Sequence, residues 1–142
     1  MANPTIRRRA RERAVQFLYA IHLTKNDVDE SLESFWEMTP AKPGVQKYAE
    51  QVIRGVCGNA ESLDEQITDA LDNWSPDRVG HVERAVIRIA LYEIIYVDDV
   101  PPPVAINEAI EVVKRFGADD APRFVNGVLD RLRKKIDQAK AS

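Results

Sequence analysis

Five arginines stand at Arg7, Arg8, Arg9, Arg11 and Arg13, and the segment then turns apolar through Ala14, Val15, Phe17, Leu18 and Tyr19. The chemistry open to such a run is electrostatic. Guanidinium groups meet phosphate, and a nearby ring offers a stacking face to a base. The plainer alternative is a solvated helix face, with Val15 and Tyr19 packed in the core. Nothing else in the chain suggests catalysis. The six glycines are scattered, and no G-x-x-x-x-G-K-S/T phosphate loop occurs. Neither His22 nor His81 lies in a motif that pairs it with a nucleophile. Asp119-Asp120 precedes a helix and reads as a cap rather than an acid pair, and Cys57 reads as a small buried hydrophobe. Asn126, next to Gly127, has an amide suited to base edges or to capping a neighbouring turn. The expectation is a binding protein without a cofactor, and not an enzyme.

Composition sets further bounds. A chain of 142 residues suits one domain, residues 1–142, with halves of about 1–74 and 75–138. No apolar run approaches the ~20 residues of a membrane span. The N-terminus is cationic but lacks the apolar stretch of a signal peptide. One cysteine and two histidines cannot complete a closed Cys/His zinc site, and a single cysteine suits a reducing compartment. The expected location is the cytoplasm, with no structural metal and no membrane. The net charge of −3 hides an asymmetry: residues 1–13 carry +4, residues 123–142 carry +4, and residues 14–122 carry −11. Basic ends suit a polyanion, and an acidic middle suits a basic protein.

Helices must position these groups. At about 100° per residue, Ile6, Ala10, Ala14, Phe17, Leu18 and Ile21 share one core-facing arc. Arg8, Arg11, Val15, Tyr19 and His22 fall on an adjacent flank, and Arg9, Arg13 and Gln16 on the far side. Asp27 is placed to cap a second helix, which Pro40 and Pro43-Gly44 end. A third carries Val45, Tyr48, Ala49, Val52, Ile53 and Val56, with Gly58 suited to a left-handed terminus. A fourth, about 59–73, buries Leu63, Ile67, Ala70, Leu71 and Trp74 and shows an acidic outer face. Ser75-Pro76-Asp77 signals a new helix start. Residues 82–97 are apolar on nearly all sides, which marks a central buried helix whose Glu83, Arg84, Arg88 and Glu93 need partners or solvent. Pro101-Pro102-Pro103 leads into a sixth helix closed by Gly117. The last begins near Asp119 or Asp120, treats Gly127 as a close-packing point and frays from Lys134. The fold class expected is all-α, about seven helices with no strand.

Several blocks resemble the NusB family of bacterial transcription antitermination factors. They are Arg7 to Glu12 with Ala14-Val15-Gln16 and Leu18-Tyr19; Val82 to Glu93; Asp99-Val100-Pro101 through Val104 to Glu111; and Lys114 to Asp130 with Phe124-Val125-Asn126-Gly127. Their order and spacing agree over nearly the whole chain, residues 25–75 carrying least. Arg123 stands where a relative has lysine, which keeps the charge, and Pro102-Pro103 makes that loop richer in proline. The resemblance implies two three-helix bundles packed together. It also implies binding of a single-stranded RNA element, boxA, together with NusE, a small-subunit ribosomal protein, within the antitermination complex of RNA polymerase on ribosomal RNA operons. By that resemblance the RNA-binding residues are Arg7, Arg8, Arg9, Arg11, Tyr19, Asp120, Phe124 and Asn126, and Glu83 faces the protein partner. A related domain fused to an RNA cytosine methyltransferase is disfavoured, because no SAM-binding motif occurs. The alternative is a homodimeric helical interaction module without RNA specificity, its arginines docked on the acidic segment 61–77 of another copy.

Overall fold

The computed structural model describes residues 4–21, 27–71 and 79–141. Among them are seven helices and no strand: α1 (Pro4–Ile21), α2 (Val28–Met38), α3 (Pro43–Gly58), α4 (Ala60–Ala70), α5 (His81–Tyr96), α6 (Pro102–Phe116) and α7 (Ala121–Ala141). No helix among these residues is long and apolar enough to cross a membrane. His22, Trp74 and the Ser75-Pro76-Asp77 start signal lie outside the described residues.

Local chemistry sets the boundaries. Asp27 caps α2, its Oδ1 accepting from the N–H groups of Asp29 at 2.8 Å and Glu30 at 3.3 Å. Pro43 begins α3 instead of merely separating it from α2, because the first turn has no use for the missing N–H. Pro102 does the same for α6, with Pro101 at the cap. Gly58 is not left-handed, since no glycine among the described residues has positive φ. Instead α3 runs through it, and Asn59 closes the helix by donating from Nδ2 to the Gly55 carbonyl at 2.7 Å. The end of α7 does not fray at Lys134. It continues to Ala141, helped by a Lys134–Asp130 pair at 3.1 Å one turn apart.

The apolar period of each helix then dictates the packing. Helices α1, α2 and α3 pack on one another, as do α5, α6 and α7, and α4 lies against α3, α5 and α7. The all-round apolar α5 is central, touching α1, α3, α4, α6 and α7. Its Ile87 and Leu91 are fully buried, each worth about 1.5–3 kcal/mol in burial. Within the helices, close packing falls at Gly55 and not at Gly127. A Cβ on Gly55 would lie 2.1 Å from Tyr92 Cε1, whereas one on Gly127 would meet nothing within 4 Å. Two polar positions of α5 find partners as required: Arg88 grips Asp64 of α4 at 2.6 and 2.9 Å, and Glu93 turns inward to α1. Cys57 is half-buried against the core, and burial pushes its thiol pKa up. The outcome for the site is that α1 is clamped between α3, α5 and α6, with one long edge left open.

Candidate nucleic-acid interface

The arginines of α1 divide into two populations. Arg11 is only 4% exposed. Its Nε donates to both oxygens of Glu93 at 2.9 and 3.0 Å, and its Nη1 donates to Glu108 Oε1 at 3.2 Å. The Tyr48 hydroxyl donates to Glu93 Oε2, and the Tyr48 ring lies 5.7 Å from the Arg11 guanidinium carbon. Burial alone would disfavour the Arg11 charge, but the hydrogen bond and charge of Glu93 outweigh it and leave the pKa raised. Burial, then the neighbouring Glu93 charge, push the Tyr48 hydroxyl up as well. Removing one member of such a buried pair strands the other, at a cost of about 3–5 kcal/mol.

This corrects the expectation that Arg11 shares an open flank with Arg8 and Tyr19. The flank predicted beside the apolar arc is itself interior at Arg11 and at Val15, which is 2% exposed. The reason lies on other helices, since α5 and α6 each present a carboxylate to this face of α1. Arg7 is also engaged. It holds exposed Asp99 through two hydrogen bonds of 2.9 and 3.3 Å and stacks 4.5 Å from the Tyr48 ring centroid. Arg8 is half-exposed and held at Nε and Nη2 by Glu108 at 3.1 and 2.6 Å.

The open edge of α1 carries the second population. A cavity of about 520 Å³ is lined by Arg8, Arg9 and Arg13 of α1, by Lys42 at the start of α3, and by Arg115 and Phe116 at the end of α6. Gln16 and Phe116 also line an adjoining shallow patch with Tyr19, Val15 and Val82. Tyr19 is 47% exposed, and its ring meets that of His81 edge-on at 6.2 Å. A separate, larger groove of about 810 Å³ is lined by Val79, Gly80, Glu83, Asp120, Arg123, Phe124 and Gly127. Glu83 Oε1 accepts from the Ala118 N–H at 3.4 Å, tying the α6–α7 turn to the first turn of α5. Phe124 is half-buried against the core, and Asn126 is exposed beside Gly127.

Of the residues proposed from sequence, Arg8, Arg9 and Tyr19 thus border one strip, the cavity and the patch that share Gln16 and Phe116, whereas Glu83, Asp120 and Phe124 line a separate groove with Asn126 next to it. Arg7 sits at the Tyr48 end of the ionic cluster, and Arg11 lies inside it. Sequence reasoning missed Arg13, Gln16, Lys42, Arg115 and Phe116 as members of the strip. Their signals were present: Arg13 and Gln16 lie opposite the apolar arc, and Lys114-Arg115 puts cations at the end of α6. Only the packing of α3 and α6 beside α1 brings them together.

Comparison with known proteins gives concordant results. The model of the NusB family matches residues 8–134. The chain is similar to the transcription antitermination protein NusB of Bacillus subtilis (strain 168), with 42% identity over 133 residues covering 94% of this chain and 98% of that one. With its counterpart in Yersinia pestis (strain Pestoides F), identity is 46% over 137 residues, covering 96% and 99%. A T. maritima NusB crystal structure superposes with a TM-score of 0.81 at 36% identity, covering 94% and 93%. A crystal structure of antitermination factors NusB and NusE in complex with double-stranded RNA gives 0.82 at 27% identity, covering 92% and 98%.

Proposed function

The chain belongs to the NusB family, and from that premise we propose that it is a transcription antitermination factor. It binds boxA-type single-stranded RNA together with NusE and, within the RNA polymerase antitermination complex, supports processive synthesis of ribosomal RNA. It acts in the cytoplasm as a non-catalytic adaptor. The observation that carries this reading is the cationic cavity of α1, which shares Gln16 and Phe116 with the Tyr19 patch; we read these, with the groove at Asp120 and Phe124, as one RNA-binding strip.

Each part of the strip has a chemical task. Arg8 and Arg9 face phosphates, and Tyr19 and Phe124 offer rings to bases. Stacking of that kind is worth about 1–3 kcal/mol per base. The Asp120 carboxylate accepts from base amino groups, and the Asn126 amide both donates and accepts, which gives the sequence preference that charge alone lacks. Arg7 borders the RNA face while anchored on Asp99 and Tyr48. Arg11 supports the face from inside rather than touching RNA. Glu83, expected from sequence to meet the protein partner, pins the α6–α7 turn and lies where RNA and partner surfaces meet. Residues 1–142 act as one domain, since α1 from the first half and α5 and α7 from the second all border the strip.

The test is a titration of fluorescent boxA-type RNA with the protein, with and without NusE, at several salt concentrations. A scrambled single strand and a duplex serve as controls. The logarithm of affinity is expected to fall with log[salt] by about 0.7 per phosphate contact, and the boxA sequence is expected to win in the presence of NusE. A salt-independent response, or equal binding of the scrambled strand by the heterodimer, overturns the reading. A homodimer that dissociates as salt rises and binds no RNA supports the interaction-module alternative instead.

A further inference from the structure

The cavity between α1, α3 and α6 gathers five cations from three helices: Arg8, Arg9, Arg13, Lys42 and Arg115. Like charges repel, so such a gathering needs a counter-charge, and the cavity supplies one carboxylate, Glu12. Glu12 is taken by Arg115 at 2.9 Å, and Arg8 is taken by Glu108. Arg13 donates to the neutral Gln16 Oε1 at 3.1 Å. Arg9 and Lys42 pair with no carboxylate among the described residues. Lys42 also precedes a helix start that no side chain caps, which adds the positive end of the α3 dipole. The cavity therefore holds an unbalanced positive field in a concave setting, where field lines concentrate. At about 520 Å³ it lies within the ~300–1,000 Å³ span of ligand sites, so it admits a short length of backbone. Phe116 closes one side, and its ring is shared with the Tyr19 patch.

We infer that this cavity is a phosphate pocket for the backbone of single-stranded RNA, gripped by Arg9, Arg13, Lys42 and Arg115, from which the strand runs past Phe116 and Tyr19 to the Asp120 groove. The inference rests on the RNA-binding reading above and adds residues of α3 and α6 to it. It also divides the labour. The cationic end grips phosphates without regard to sequence, whereas at the far end carboxylates Glu83 and Asp120 outnumber Arg123, so the groove has no surplus of cations for phosphate and meets bases. Incoming phosphates replace Glu12 as the partner of Arg115.

The full chain carrying Lys42→Gln and Arg115→Gln, with NusE present, tests this against wild type on boxA-type and scrambled RNA. Both RNAs are expected to weaken by the same factor. The slope of log affinity against log[salt] is expected to shallow by about 1.4, at about 0.7 for each phosphate that the variant leaves unneutralised. The melting temperature should hold, since both side chains lie at the surface. Glu12→Gln, which frees Arg115, is expected to strengthen both RNAs. A double variant that binds with wild-type affinity and slope overturns the pocket and leaves the RNA-binding reading standing. A wild-type protein that binds neither RNA in the presence of NusE overturns both. Tight, saturable binding of inorganic pyrophosphate, with an unchanged RNA slope in the double variant, assigns the pocket to a free phosphate ligand and overturns the RNA path.

Discussion

Arg11 and Arg9 are two residues apart on one helix, yet they belong to different machines. Arg11 is enclosed by Glu93, Glu108 and Tyr48, whereas Arg9 opens on a cavity where cations outnumber the one acid. The difference is one of solvent. In the interior an arginine is tolerable only with its charge matched, so the charge of Arg11 is neutralised in place by Glu93 and Glu108. At the rim water screens the mutual repulsion, so unmatched cations can wait for an anion that releases its own counterions on binding. A run of arginines is thus not a single signal. Its members are sorted by which neighbouring helices present carboxylates.

The largest expected effect attacks the interior side of that comparison. Glu93→Ala should destabilise the fold by about 3–5 kcal/mol, because buried Arg11 keeps only Glu108 and the Tyr48 hydroxyl loses its acceptor, read as a shift of the urea midpoint. The pair Arg11→Met with Glu93→Leu should recover most of the loss, because no buried charge remains unmatched. RNA affinity of the folded double variant should stay near wild type. A large drop in that affinity with stability intact would place Arg11 among the residues that touch RNA and dissolve the division.

The rim side predicts the reverse pattern. Tyr19→Ala removes a half-exposed ring, so melting should hardly move while RNA affinity falls by about 1–3 kcal/mol, measured by the same titration. A loss of stability without loss of affinity would mean that the ring serves its edge contact with His81 rather than a base.

The way these residues were legible follows from the same physics. Periodicity found α5 as the buried centre, because an all-round apolar helix has one place to go, and the capping chemistry of Asp27 and the prolines of α3 and α6 set boundaries locally. The interior fate of Arg11 was not legible from α1, since it depends on acids 82 and 97 residues away. A hint existed in Glu93, an ionisable group in an apolar helix that needed a partner. The cationic rim was half legible. Its α1 members stood out as a run, but Lys42 and Arg115 are ordinary surface cations until α3 and α6 dock beside them. The crowding at Gly55 and the open space at Gly127 escape the sequence for a related reason, since whether a glycine is crowded depends on what packs opposite.

Tyr48 gives a smaller, pH-dependent handle on the interior. Its folded pKa is raised by burial and by Glu93, so the hydroxyl keeps its proton in the native state. Up to pH 10 the unfolded chain keeps it too, and the contribution is fully present. Above pH 10 the unfolded tyrosine loses its proton while the folded one does not, so stability falls as pH rises, by at most about 1.4 kcal/mol per pH unit for one group. Denaturation midpoints from pH 9 to 11 should drop less steeply in Tyr48→Phe than in wild type. Parallel curves would show that Glu93 does not depend on the Tyr48 proton.

The smallest expected effect separates stability from binding at a single methyl group. Gly127 lies within α7 and walls the Asp120 groove, and a Cβ there would meet no atom of the protein. Gly127→Ala should therefore stabilise the fold by as much as about 1 kcal/mol, the helix-propensity difference between the two residues. If the bare backbone is what lets a base lie flat beside Phe124, the same methyl group narrows the groove and weakens boxA-type RNA. It would leave a scrambled strand, held by phosphates at the other end, nearly unchanged. Higher melting temperature with reduced boxA preference would show that the base-reading end tolerates a cost in stability for access. Higher melting temperature with unchanged preference would move base reading away from Gly127 and toward the Asn126 side of α7.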